Sequence, residues 1–261
     1  MTDATLTAPS PYAAPASDLQ KLPEAGVPLT VEQALARGYD FGILALLGEA
    51  WERTKGTKRV ILGSYLLFTV VMMGLSFILP MVLMGVGALS VALLQGVGIV
   101  FSVLLSIAAF ILVMALIYPF VVGVLLVGIR RAADQPIVFG EVFSHFGRTL
   151  PLVVAAVLMT ILISIGNLLF LIPGIYLAIA YSLTLPLIVE RGLSPWQAME
   201  ASRKGISQHW FKVFGLYLLL GLIIMASMLT LGILLIWTLP MMVVANGILY
   251  RTIFGVLPQT K

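Results

Sequence analysis

The chain has no cysteine and only two histidines, His145 and His209. Without thiols there is no disulfide, no thiolate nucleophile and no cysteine-ligated metal, and two isolated histidines speak against a histidine-rich metal site. Charge is also scarce. Asp, Glu, Lys and Arg make up 10% of the 261 residues, against roughly 25% in soluble domains. What remains is 61% hydrophobic, with a mean hydropathy of +1.10. This composition is that of an integral membrane protein. The start of the chain lacks an apolar run: residues 1–29 carry Pro9, Pro11, Pro15, Pro23 and Pro28. They offer no signal-peptide core and too little apolar area to order themselves, so a flexible N-terminal tail is expected.

The charges are absent in runs. Residues 60–129, 149–189 and 213–250 contain no Asp, Glu, Lys or Arg. A charge at the bilayer centre costs about 2.5–3.5 kcal/mol on insertion scales, and a spanning helix needs about 20 residues. The second and third runs each fit two spans, divided by "GNLLFLIPG" and, more weakly, by "SMLTLG". In the first run Gly85, Gly87, Gly96 and Gly98 suggest a glycine-rich connection over 85–98, with a re-entrant segment as the other reading. The expectation is an all-α polytopic membrane protein with six transmembrane helices as three helical hairpins. Spans are placed at 60–84, 99–129, 149–168, 172–189, 211–229 and 232–250, within a membrane domain of 30–255 and ahead of a C-terminal tail of 256–261.

Orientation follows from the basic residues. With six spans, Arg53, Lys55, Lys58, Arg59, Arg130, Arg131, Arg148, Arg191, Arg203, Lys204, Lys212, Arg251 and Lys261 fall on one side, and the opposite loops have none. Lys and Arg in short loops mark the cytoplasmic face. Both termini are therefore expected on the cytoplasmic side of a multi-pass membrane protein. The basic pI of about 9.4 then reflects topology, and no nucleic-acid partner is expected.

Each expected hairpin is preceded by an interfacial, amphipathic segment. Thr30 with Gln33 opens a short helix that ends near Gly38, and residues 41–59 lead into the first span. Before the second hairpin, Phe139, Val142, Phe143 and Phe146 stand at i, i+3, i+4 and i+7. Before the third, Ser194, Pro195 and Gln197 form a capping box with proline at the first helical position, and Gly205 reads as a stop. "HFGR" and "HWFK" place His145 and His209 alike. Aromatic and basic side chains suit the headgroup zone, so His145, Arg148, Trp196, Arg203, Lys204, His209, Trp210 and Lys212 are the candidate lipid-headgroup residues. The outgoing helices repeat too. Pro119, Pro186 and Pro240 kink spans two, four and six, and "TLP" recurs at 184–186 and 238–240. Arg130 and Arg251 each follow their proline by about three turns, or ~16 Å, which places those two prolines near the midplane.

"LIPGIYLAIAYSLTLPLIVERGLSPWQAMEASRKG" and "LGILLIWTLPMMVVANGILYR", with weaker support from "VEQALARGYDFG", resemble a family of uncharacterised bacterial polytopic integral membrane proteins. That family is related to the membrane domain found ahead of the catalytic barrel in some glycerophosphoryl diester phosphodiesterases. The likeness covers roughly residues 30–255 and implies a bacterial inner-membrane protein of about six helices. No barrel follows Lys261 in this chain, so phosphodiesterase chemistry is not carried over with the resemblance.

Acid–base or metal chemistry needs converging ionisable groups, and the charge-free runs hold none. Asp134, Glu141, Glu190 and Glu200 read as ordinary helix-end and loop charges. No enzyme activity, catalytic residue, cofactor or metal is expected, and ion-coupled transport is disfavoured for the same reason. Pro119, Asn167, Pro186, Pro240 and Asn246 form the candidate intramembrane ligand set, with hydrogen-bonding glue between helices as the competing role for the two asparagines. The methionines at 72, 73, 81, 84, 241 and 242 read as gap-filling packing. The expected function is a non-enzymatic scaffold or envelope factor that binds lipid or partner proteins through its interfacial helices. The alternative is a passive or partner-driven conduit for a lipid or other amphiphile. Membrane lipids are the expected partners, with room for a membrane-protein partner; the oligomeric state is open.

Overall fold

The structure, a computed structural model, describes residues 29–258, so residues 1–28 of the expected N-terminal tail lie outside the described residues. It is all-helical, with no strand among those residues. Five helical segments are long and apolar enough to cross a membrane: Lys58–Leu94, Gly96–Ala132, Phe139–Leu169, Leu171–Arg191 and Trp210–Leu229. The helices before them are α1 (Val31–Arg37) and α2 (Ile43–Arg53).

The first two long helices correct an expected boundary. α3 (Lys58–Leu94) and α4 (Gly96–Ala132) are 37 residues each and meet at Gln95 alone, in a left-handed conformation with φ 47°. The connection expected over 85–98 is thus helical except for that residue. Glycine and proline are weak breakers in an apolar setting, where backbone groups must bond within the helix; even Pro80 lies inside α3. At 1.5 Å per residue each helix is about 56 Å long, nearly twice a hydrocarbon core of about 30 Å. Between Tyr65 and Tyr118 the buried residues are Ser90, Gly98 and Ala109. Ser90 Oγ lies 2.9 Å from Ser102 Oγ and joins the two helices there.

A 3-10 helix (Phe139–Arg148) leads directly into α5 (Thr149–Leu169). This segment was expected as an α-helical amphipathic face at the headgroup level. Instead its three-residue turn brings i and i+3 into register, and Val142 is fully buried against α4. Any side chain at Gly123 would collide with the Val142 carbonyl, so glycine is what lets the two backbones touch.

The fourth span is broken into α6 (Leu171–Ala180) and α7 (Thr184–Arg191). The break has a local cause. Pro186 has no N–H and its ring crowds the carbonyl four residues back, at Ser182, inside the turn at 181–183. The groups left over are met from the next helix, α8 (Pro195–Ser207). Ser202 Oγ donates to the Ala180 carbonyl at 2.7 Å and accepts from the Leu183 N–H at 3.2 Å. Both expected capping boxes are present, Thr30 with Gln33 and Ser194 with Gln197.

α9 (Trp210–Leu229) and α10 (Leu235–Phe254) run antiparallel. Tyr217 donates to Asn246 Oδ1 at 2.6 Å, and Ser227 and Thr238 hydroxyls meet at 3.1 Å. α10 is the most enclosed of the long helices and is not among the five apolar segments; it carries Pro240, Asn246 and Arg251. Lys58 Nζ lies 5.1 Å from the Trp237 ring centre, while Arg251 donates to the Ala132 carbonyl. Lys58 and Ala132 share one end of the α3–α4 pair, but Trp237 and Arg251 are about 21 Å apart along α10. α10 therefore passes that end of the pair obliquely, packed on the last turns of α4. The crossing is closed by Gly128 and Gly247, where a side chain on either would strike the backbone of the other helix. Small residues let helices approach in this way.

Candidate functional site

The charged side chains gather at the end of the bundle where α10 crosses, and arginine does most of the joining. Arg53 pairs with Glu49 and with Asp134, both at 2.6 Å. Arg131 donates to the carbonyls of Arg53 and Lys55, each at 2.8 Å. Arg251 pairs with Glu49 at 2.9 Å. A planar guanidinium with five donors can hold several carbonyls and carboxylates at once, which a lysine ammonium does less well. The basic residues that mark orientation in the sequence thus also tie α2, α4 and α10 together.

Beside this network lies a cavity of about 490 Å³. α4 supplies Leu126, Ile129 and Arg130; the 3-10 segment and its approach supply Pro136, Val138, Glu141 and His145; α7 supplies Val189 and Glu190; and the chain past α10 supplies Val256, Leu257 and Pro258. Arg130 and Glu141 form an ion pair across the wall between α4 and the 3-10 segment. Arg130 Nη1 also donates to Gln135 Oε1 at 3.3 Å. Gln135 passes the contact on, donating to the Leu257 carbonyl at 2.9 Å. Leu257 N–H donates to Glu190 Oε1 at 2.8 Å. Val256 and Leu257, expected as a C-terminal tail, are therefore held as one wall of the cavity.

Next to Glu190, Arg191 lies with its Nε 3.9 Å from Glu190 Oε2 and carries its guanidinium on to two backbone segments. It donates to the Leu29 carbonyl at 2.5 Å and to the Phe254 carbonyl at 2.6 Å, so it grips the chain just before α1 and just after α10. The Tyr250 hydroxyl is buried against the same two side chains. Glu141 and Glu190, read from sequence as ordinary surface charges, are instead 16% and 11% exposed and line one chamber with Arg130 and His145. Nothing local in the sequence marks them, because each is covered by segments distant in the chain.

The residues expected at the headgroup level separate into two groups. Trp196 is 62% exposed, as an interfacial anchor would be. Arg203 and Lys204 both pair with Glu200, and Lys212 pairs with Asp40. Arg203 holds the Glu200 carboxyl below its ordinary range, and Lys212 does the same to Asp40. His209 and Trp210 instead serve packing. His209 stands edge-on to Tyr39 at 5.1 Å, and Trp210 stacks on Phe214 at 5.2 Å. Arg148 donates to the Ile188 carbonyl at 3.0 Å. His145 faces the cavity.

The expected intramembrane set is not brought together. Pro119, Pro186 and Pro240 are buried in three different helices. Asn246 spends both ends of its amide within the bundle, accepting from Tyr217 and donating to the Met242 carbonyl at 2.9 Å. Asn167 lies at the far tip of α5, its amide packed against Gly174 of α6. None of the five lines the cavity. No group of three His, Asp or Glu side chains among the described residues converges as a metal ion would require.

Comparison with protein-family models, with curated proteins and with solved structures finds no match to this chain.

Proposed function

We propose that the protein is a non-enzymatic membrane scaffold or envelope factor that binds a membrane lipid, with the lipid's polar head in the chamber between α4, the 3-10 segment, α7 and the chain after α10. The observation that carries this is the lining. Arg130, Glu141, His145 and Glu190 face a space whose remaining walls are apolar, at the charged end of helices able to cross a membrane. A site with both signs of charge suits a head that carries both, such as phosphoethanolamine, better than a simple anion or cation. The resemblance to bacterial inner-membrane proteins fits this reading. The gathering of Lys and Arg at one end fits a cytoplasmic position for that end and for both termini, with α10 returning the chain as an oblique sixth pass.

Native mass spectrometry of the detergent-purified protein tests lipid binding. A specific phospholipid should be retained by the wild type and lost from the double variant Arg130→Gln, Glu141→Gln. Equal retention by both proteins would refute the site. For topology, the cysteine-free chain allows Gln95→Cys, Leu169→Cys and Met228→Cys to be labelled singly from outside intact cells. Asp134→Cys and Glu200→Cys should stay unlabelled, and labelling of either reverses the orientation.

A further inference from the structure

The 3-10 segment that walls the ionic chamber also walls a second cavity of a different character. This slot, of about 220 Å³, is lined by Leu67, Phe68, Val71 and Met72 of α3, Leu116 and Phe120 of α4, and Phe143 and Phe146 of the 3-10 segment. Its lining contains no polar side chain. Phe120 is 2% exposed and forms the floor, stacked on Phe68 with ring centres 3.9 Å apart. Leu67, Val71 and Phe146 are 40% exposed or more and form the rim. The slot therefore opens sideways, onto the surface that a membrane's hydrocarbon would cover.

We infer that the slot holds one acyl chain of the lipid whose head occupies the chamber; this rests on the headgroup reading above. Three observations select the occupant. The space is too small for a partner's helix, which is about 10–12 Å across with its side chains. A lining without donors or acceptors offers a polar group no compensation for lost water, so the occupant is hydrocarbon. The depth also fits. Leu67–Met72 and Leu116–Phe120 lie about 14–21 Å along their helices from Lys58 and Arg130, within the hydrocarbon and below the level of a head bound at Arg130. The 3-10 segment gives both cavities a common wall, with Glu141 and His145 facing one and Phe143 and Phe146 facing the other. Gly123 sets that wall in place by admitting the Val142 backbone. A ligand with one chain beside a charged head matches this division. The slot would then read chain length and unsaturation, which the chamber cannot sense.

The test uses the full-length protein in vesicles of phosphatidylethanolamine and phosphatidylglycerol doped with phosphatidylethanolamine that carries a diazirine in one acyl chain. After illumination, adducts are mapped by mass spectrometry. Adducts should concentrate on the peptides holding Met72, Leu116 and Phe146. Val71→Trp, which fills the slot from its rim, should lower them about tenfold, equivalent to about 1.4 kcal/mol. Ile161→Trp, on the outward face of α5, should leave them unchanged. Adducts spread over the outward apolar faces in proportion to exposure, or undiminished in a folded Val71→Trp protein, overturn the slot. Should Val71→Trp fail to fold, Leu67→Phe takes its place under the same criterion. Head binding is read separately from lipid retention in the chamber variants, so the slot can fall while the chamber stands, and loss of the chamber is recognised on its own.

Discussion

The outer part of the α3–α4 pair and the crossing of α4 with α10 belong to the same chain and share a composition of Leu, Val, Ile, Met and Gly, yet they are held by different means. Between Tyr65 and Tyr118 most side chains are exposed, and a pair of serine hydroxyls links the two helices near their turn. At the crossing, Gly128 and Gly247 bring backbones into contact, and Val243, Val244, Ile248 and Tyr250 are almost wholly buried. In a bilayer, apolar burial alone does not drive helices together, because lipid tails are as apolar as leucine. Close backbone approach and satisfied polar groups do. The crossing has both in its buried centre, whereas the outer pair has them only beside its turn, where Gly98 meets the Ser90 backbone and the Ser90 and Ser102 hydroxyls meet, and mutations should separate them.

The largest effect is expected from glycine. Gly247→Leu would drive a side chain into the α4 backbone, and no rotamer relieves a clash that begins at Cβ. The loss should exceed about 4 kcal/mol, the range reserved for gross disruption, and appear as failure to purify a monodisperse protein. Gly74→Leu in α3, where nothing lies within 4 Å, should stay within about 0.5 kcal/mol of the wild type. Equal tolerance at both sites would erase the contrast.

Arg191→Met comes next. It leaves the Leu29 and Phe254 carbonyls without their donor and Glu190 without its neighbouring charge. Removing one member of a buried charged set costs about 3–5 kcal/mol, read as a lower unfolding temperature in detergent. Ser202→Ala strands the Ala180 carbonyl and the Leu183 N–H at the break between α6 and α7. About 1–3 kcal/mol is expected for such buried groups, and an unchanged protein would mean that the break satisfies itself. In the outer pair, Ser90→Ala should cost only about 0.6 kcal/mol, the average for hydrogen bonds between membrane helices.

The smallest effect is a pH dependence at the charged face. Arg53 beside Asp134 holds that carboxyl below its ordinary range. A depressed folded-state value stabilises the protein above the unfolded carboxyl's pKa of about 3.9, and this is lost as pH falls through the folded value. The difference in unfolding temperature between wild type and Asp134→Asn should therefore shrink below about pH 4. Asn also accepts the positive φ of 56° found there. A difference that widens on acidification would remove the Arg53 pairing as its cause.

Much of the helical plan was legible because its cause is local. A run without charge and a capping box each act within a few residues of themselves: Thr30 and Ser194 start helices, and five helical segments from the charge-free runs are long and apolar enough to cross a membrane, while the span expected at 232–250 is not among the five. Pro186 marked a kink in the fourth span, and the break occurs one turn before the proline. What could not be read depends on approach between distant segments. Gly123, Gly128 and Gly247 look alike in sequence to Gly85 and Gly96, but the first three sit under another backbone and the last two face open space. The chamber was hidden for the same reason: Arg130, Glu141 and Glu190 are dispersed charges until the 3-10 segment folds back along α4 and brings Glu141 to Arg130. The oblique setting of α10 left no periodic trace, since a helix packs with the same spacing at any crossing angle.

The grip of Arg191 on the chain at Leu29 and at Phe254 bears on how the protein is made. Synthesis delivers α7 well before α10, at about 5–20 residues per second, so the guanidinium waits with only the Leu29 side of its cradle in reach. Its second carbonyl arrives with the last helix, and until then the Glu190 wall lacks its anchor at Leu257. Assembly therefore finishes at the place where the two ends of the described chain meet, and a nascent chain halted anywhere before Phe254 would have no closed chamber.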